Sequence, residues 1–310
     1  MNGAYDMKGL DLSYEFFKKS EPVLREKLSE YWPYLAFGLV GEGSECFGFD
    51  DSFSRDHDWG ADFCIWIPDE MYEKAAPVIK SVYSSLDRTG FPSRAVSDQG
   101  AGRVGAMPIE GFYKKYLGTA SRPEKPINWL RIPEHSFATA TNGRVFLDNL
   151  GQFSAIREDF LSFYPDDVLL KKLSAKAAKA AQSGQYNYPR CAHRGENVAA
   201  QIAKSEFMKN AMGIVFLLNK TYAPFYKWTH RALCDLPILN STAELFSDLA
   251  AETEILKCTD LIENISARII RELRRECLSS SPSDFLHDHA IEIASNIKDP
   301  DLRRLHFSVE

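Results

Sequence analysis

Apolar positions in this chain change their spacing near residue 168. Before it, short apolar runs alternate with amphipathic stretches. Leu35–Val40, Phe63–Ile67 ahead of Pro68, Arg103–Ile109 and Arg144–Asp148 read as four strands, the third weakened at its end by Pro108 and the fourth an edge strand turning at Gly151. Leu12, Phe16, Phe17, Val23, Leu24 and Leu28 recur at helical spacing and predict one or two helices between Leu10 and Tyr31. Met71–Leu86 and Glu110–Leu117 predict further helices, and Arg122–Pro126 a loop. From Val168 onward the spacing is helical throughout: Lys171–Gln182, Glu196–Asn219, Thr242–Leu256, Thr259–Cys277 and Phe285–Ile297. Pro and Gly fall mostly between these segments, with Gly213 inside one. The pattern predicts leading helices over 1–34, a domain of strands and helices over 35–155, and a helical bundle over 156–310.

Composition narrows the class. The chain has 310 residues, 45% hydrophobic and 26% charged, as expected of a soluble globular protein with one large or two modest domains. The formal net charge of -6 argues against general affinity for nucleic-acid backbone. Six cysteines are scattered without a CxxC pair, so they read as reduced packing residues. The stretch Met1–Asp6 lacks a basic-then-apolar signal pattern, and no apolar run approaches the ~20 residues of a membrane span, which predicts a cytoplasmic protein.

The candidate chemistry sits between the first two apolar runs. Gly41-Glu-Gly-Ser44 follows one, and Asp56-His-Asp58 precedes the next. Glycines let backbone amides approach a phosphate, which makes Gly43 and Ser44 a candidate cradle. Residues i and i+2 of a strand share a face, so Asp56 and Asp58 can converge on one divalent ion. His57 would then face away, as a packing residue. A third carboxylate would serve as general base, yet Gly105 and Ala106 stand on the third strand where an acid is expected. Glu110 just beyond it, or Asp98 on the preceding loop, is the nearest substitute. In the helical half, Tyr186, Asn187, Arg190, Arg194, Lys220, Lys227 and Trp228 form a basic and aromatic set able to hold a triphosphate and stack on a base. Lys171 and Lys172 read as part of an ordinary charged helix. His287-Asp-His289 reads as a solvated helix start, because i and i+2 on a helix do not face each other.

Gly43, Ser44, Asp56 and Asp58 together resemble the signature of the nucleotidyltransferase superfamily. Ser44–Gly48, Ser54–Gly60, Phe112–Gly118, Gln185–Asn187, Phe216–Asn219 and Tyr222–Trp228 resemble a bacterial family known as domain of unknown function 4037, over roughly Leu35 to Leu233. The resemblance implies an α/β (α+β) nucleotidyltransferase-like domain with a small mixed sheet, plus an all-α helical-bundle domain. It implies Mg²⁺ (or Mn²⁺) on Asp56 and Asp58, with an NTP, ATP the expected one, as substrate. The expected reaction moves a nucleoside monophosphate to a hydroxyl of a small molecule or protein and releases pyrophosphate. Catalysis would rest on Asp56, Asp58 and Glu110. The nucleotide would lie on Gly43, Ser44, Tyr186, Asn187, Arg190, Arg194 and Lys227. The missing third-strand acid keeps two alternatives open: a nucleotide-binding sensor without catalysis, and an interaction protein such as a toxin–antitoxin or stress-response component.

Overall fold

The computed structural model describes residues 7–55, 59–92, 94 and 102–310. The chain is mostly helical, with one four-stranded mixed sheet, and divides into two compact units. The first comprises residues 1–122 and 136–162, the second residues 123–135 and 163–310.

The sheet of the first unit is built from β1 (Ala36–Leu39), β2 (Cys64–Ile67), β3 (Gly105–Pro108) and β4 (Arg144–Asp148), in the order β3-β2-β1-β4. β1 runs antiparallel to β2 and β4, and β2 runs parallel to β3. The two central strands are buried at every position, which is why they appear in the sequence as continuous apolar runs. On one face, Phe37, Phe63 and Ile65 pack with Phe16, Phe17 and Leu24 of α1 (Gly9–Lys27) and Ile79 of α2 (Asp69–Ser84). The leading helix therefore belongs to the same core as the sheet. On the other face, Trp66 stacks on Phe153 at 3.8 Å and meets Phe112 edge-on at 5.5 Å. These rings come from α3 (Ile109–Leu117) and α6 (Gln152–Leu161). Full burial of such rings contributes about 1.5–3 kcal/mol each. Gly38 interrupts the β1–β4 register. A Cβ there would lie 2.5 Å from the Arg144 carbonyl oxygen, so only glycine permits the approach.

The register fixes which segments share an end of the sheet. Gly38 pairs with Cys64, Leu39 with Arg144, and Cys64 with Gly105. The exit of β1 thus lies beside the entries of β2, β3 and β4.

Past Phe163 every described regular element is helical. The second unit contains α4 (Pro126–Trp129), α7 (Asp166–Ala180), α8 (Tyr188–His193), α9 (Asn197–Leu218), α10 (Tyr226–Leu233), α11 (Thr242–Ala251), α12 (Ile255–Arg275), α13 (Leu286–Ser295) and α14 (Pro300–Arg304). The short α5 (Glu134–Thr141) spans residues of both units. α7 and α8 are joined by a π-helical stretch, Ala181–Asn187, rather than a loop. Gly184 in that stretch packs on the ring of buried Phe207; a Cβ would fall 2.2 Å from Phe207 Cδ2. No helix among the described residues is long and apolar enough to cross a membrane.

Candidate functional site

The Gly41–Ser44 turn leaves β1 at the end of the sheet where β2, β3 and β4 begin. Gly41 (φ 127°) and Gly43 (φ 115°) occupy backbone conformations open to glycine. Asn142, two residues before β4, clamps the turn: its Oδ1 accepts from the Gly41 amide at 2.9 Å and its Nδ2 donates to the Gly41 carbonyl at 2.8 Å. Among the described residues nothing accepts a hydrogen bond from the Gly43 or Ser44 amides. The turn does not open an α-helix, as a helix-start cradle would require. It leads into a single 3-10 turn, Glu45–Phe47, with Ser44 as N-cap and no side-chain cap bond.

Beneath the turn lies a buried ion-pair network. Arg94 donates to Glu45 Oε1 and to the Gly60 carbonyl at 3.3 Å, and its Nε sits 3.7 Å from Asp62 Oδ2. Asp62 also accepts from Arg88 at 2.8 Å and from the Tyr83 hydroxyl at 2.5 Å. Burial lifts the Glu45 carboxyl to about 7 against the opposing pull of Arg94. Glu42, on the turn itself, accepts from Arg103 Nε at 3.0 Å, just ahead of β3.

Asp56, His57 and Asp58 lie outside the described residues, as does Asp98. Their flanks are anchored. Trp59 Nε1 donates to buried Asp50 at 3.0 Å, the Gly9 amide donates to the same oxygen at 2.8 Å, and the Arg55 guanidinium lies 4.7 Å from the Trp59 ring. Arg94 then ties Gly60, two residues past Asp58, to Glu45, the residue after Ser44. The glycine turn and the chain at Gly60 are thereby held side by side.

Glu110 is not brought to this end. β3 runs parallel to β2, so Pro108 sits at the exit of β2 beside Ile67, opposite the turn. Glu110 lies in the first turn of α3, where its carboxylate pairs with Lys114 at 2.7 Å and its amide donates to Asp69 Oδ2. β3 opens with Gly105 and Ala106, and neither these nor Arg103 and Val104 just ahead of them is an acid.

In the second unit the basic and aromatic set is only partly assembled. The Arg190 guanidinium lies 3.6 Å from the Tyr186 ring, with Tyr186 and Asn187 both in the π-helical stretch. Arg194 is the exposed C-cap of α8. Lys227 lies in α10, 4.5 Å from the Trp228 ring. Lys171 and Lys172 are not on a solvated face: both are buried, and Lys171 Nζ donates to the His306 carbonyl at 2.7 Å. His289 is likewise buried between Ser279 and the Ser283 carbonyl, a packing histidine.

The residues that build the turn's surroundings, Glu45, Asp62, Arg88, Arg94, Arg103 and Asn142, carry little sequence signal. The Asn142-Gly143 pair ahead of a strand was the available clue, as a turn signature.

No curated protein and no solved structure matches the chain. The motifs at 44–60 and 112–118 lie outside the family match over residues 129–229, whereas those at 185–187, 216–219 and 222–228 lie within it. Over residues 129–229, about a third of its length, the chain is similar to the family described as Domain of unknown function (DUF4037).

Proposed function

We propose that the first unit is a nucleotidyltransferase-like domain and that the protein transfers a nucleoside monophosphate from an NTP to an acceptor hydroxyl. The observation that carries this reading is the Arg94 link. It joins the residue after Ser44 to the segment just past Asp58, at the sheet end where β1 leaves and β2 enters. The amides of Gly43 and Ser44 are available for a phosphate oxygen. Glu45 and Asp62 already face guanidinium groups, and Glu42 faces Arg103. Asp56 and Asp58 are therefore the carboxylates assigned to a divalent ion. Mg²⁺ or Mn²⁺ held there would neutralise triphosphate charge and polarise the α-phosphorus. In the reaction the acceptor oxygen bonds to the α-phosphorus, the α–β phosphoanhydride bond breaks, pyrophosphate leaves, and the hydroxyl proton passes to a base. The net acidity of the chain favours a small-molecule or protein acceptor over nucleic acid.

A second reading, nucleotide binding without transfer, is favoured by one feature: β3 has Gly105 and Ala106 where a general base would stand, and Glu110 is at the far end. One experiment separates the two. The protein is incubated with each α-³²P-labelled NTP, Mg²⁺ and a cell extract, beside an Asp56→Asn/Asp58→Asn variant. Transfer of label that the double variant lacks supports the enzyme. Mg²⁺-dependent NTP binding without any transfer moves the conclusion to the second reading. Undiminished NTP binding in the double variant removes the metal assignment from both.

A further inference from the structure

Lys172, Lys176 and Lys179 follow the i, i+4, i+7 spacing that places them on one face of α7. Two carboxylates answer these three ammonium groups. Glu310 lies 3.0 Å from Lys176 Nζ and 2.8 Å from Lys179 Nζ, and Glu134 lies 3.7 Å from Lys176. Lys172 is 4% exposed, and none of the described residues accepts a hydrogen bond from its ammonium group, which lies 5.1 Å from the Tyr164 ring. Burial pulls the Lys172 ammonium group towards its neutral form, against the opposing pull of Glu134 and Glu310, so the ion pairs of this face rest on Lys176 and Lys179. Although burial opposes ionisation of Glu310, the two lysines hold its carboxyl down to about 2, so the position strongly favours an anion.

Beside Lys179 a cavity of about 370 Å³ opens within the second unit, lined among others by Gln182, Tyr186, Phe285, His287 and Phe307. Its size lies within the roughly 300–1,000 Å³ of small-molecule sites. The π-helical stretch supplies Gln182 and Tyr186 to its wall, and such stretches recur at functional positions. His287 and Phe307 meet edge-on at 5.5 Å, and Phe285 lies parallel to His287 at 5.8 Å, so the wall offers several π faces. Lys179 thus belongs to both an aromatic pocket and an anion site.

We propose that this pocket binds a nucleotide, with the base against the aromatic wall and a phosphate on Lys176 and Lys179 in place of the Glu310 carboxylate. The site lies wholly in the second unit and does not depend on the chemistry assigned to Asp56 and Asp58. Glu310 acts as a built-in competitor: its carboxylate holds the lysines until a phosphate displaces it.

The test uses the full chain carrying Asp56→Asn/Asp58→Asn, without divalent ion, titrated calorimetrically with AMP, ATP, adenosine and inorganic phosphate. AMP and ATP should bind, and adenosine and inorganic phosphate should each bind about tenfold more weakly or worse, since each lacks one half of the contacts. Lys179→Met should weaken AMP binding about tenfold, Lys179→Arg should retain it, and Glu310→Gln should strengthen it several-fold. Failure of AMP and ATP to saturate, equal affinity for AMP and inorganic phosphate, or a Glu310→Gln protein with unchanged AMP affinity would each overturn the proposal. Because the first-unit aspartates are already replaced, these outcomes leave the transfer reading unaffected.

Discussion

Glu45 shows how one buried side chain can set the conditions under which a turn is stable. Its carboxyl is held near 7 by burial, against an ordinary value of 4.5. Between those values the folded protein retains a proton that the unfolded chain has released. Stability must therefore fall as pH rises through that window, by at most about 3 kcal/mol for this group. Glu45→Gln keeps the size of the protonated side chain and removes the titration. The variant should match the native protein most closely near pH 5, and gain relative to it by pH 8. Urea unfolding at several pH values measures the difference; a difference that does not change with pH would remove Glu45 as the source. The same residue explains why Ser44 leads into a single 3-10 turn. Glu45 points inward to Arg94, and Gly48 (φ 70°) then reverses the chain.

At the scale of elements, the helical connection across Ala181–Asn187 depends on a glycine. Ala is a better helix former than Gly by about 1 kcal/mol. That gain is outweighed at Gly184, where the added carbon would sit 2.2 Å from a buried ring. Gly184→Ala should destabilise the second unit by about 1–3 kcal/mol, and Phe207→Leu in the same chain should recover part of the loss. Additive effects of the two substitutions in a double-mutant cycle would contradict this packing. The strands and long helices were legible because their burial is regular. Leu35–Val40 and Phe63–Ile67 each enclose an observed strand, and Glu196–Asn219 encloses α9. The π-helical stretch was not legible, since Ala181–Asn187 carries no composition that separates it from α-helix. The burial of Lys171 and Lys172 was hidden for a different reason. Their counter-charges and carbonyl partners lie on Glu134 and on residues 305–310, more than 30 positions away. In the candidate site, the glycine turn was readable from its own residues. Its supports were not, because Arg94, Arg103 and Asn142 act across 49, 61 and 101 positions.

For the whole molecule, the cysteines offer a direct readout of folding. Cys46, Cys64 and Cys258 are buried, Cys234 and Cys277 are exposed, and Cys191 is intermediate. Burial pushes Cys64 up to about 12 and Cys46 well above its ordinary value, which further suppresses their thiolates. Alkylation of the native protein at pH 8 should label Cys234 and Cys277 quickly, and Cys46, Cys64 and Cys258 only after denaturant is added. Peptide mass spectrometry gives the order, and early labelling of Cys46 or Cys64 would contradict the first-unit core. The Asn142 clamp has a consequence for how the protein is made. Gly41 leaves the ribosome about a hundred residues ahead of the side chain that fixes it, and Gly143, whose amide donates to the Cys46 carbonyl at 2.9 Å, emerges directly after that side chain. The turn can acquire its final shape only after the edge strand β4 has been synthesised and paired. A nascent chain that already contains Gly43 and Ser44 therefore still lacks the side chain that clamps their turn.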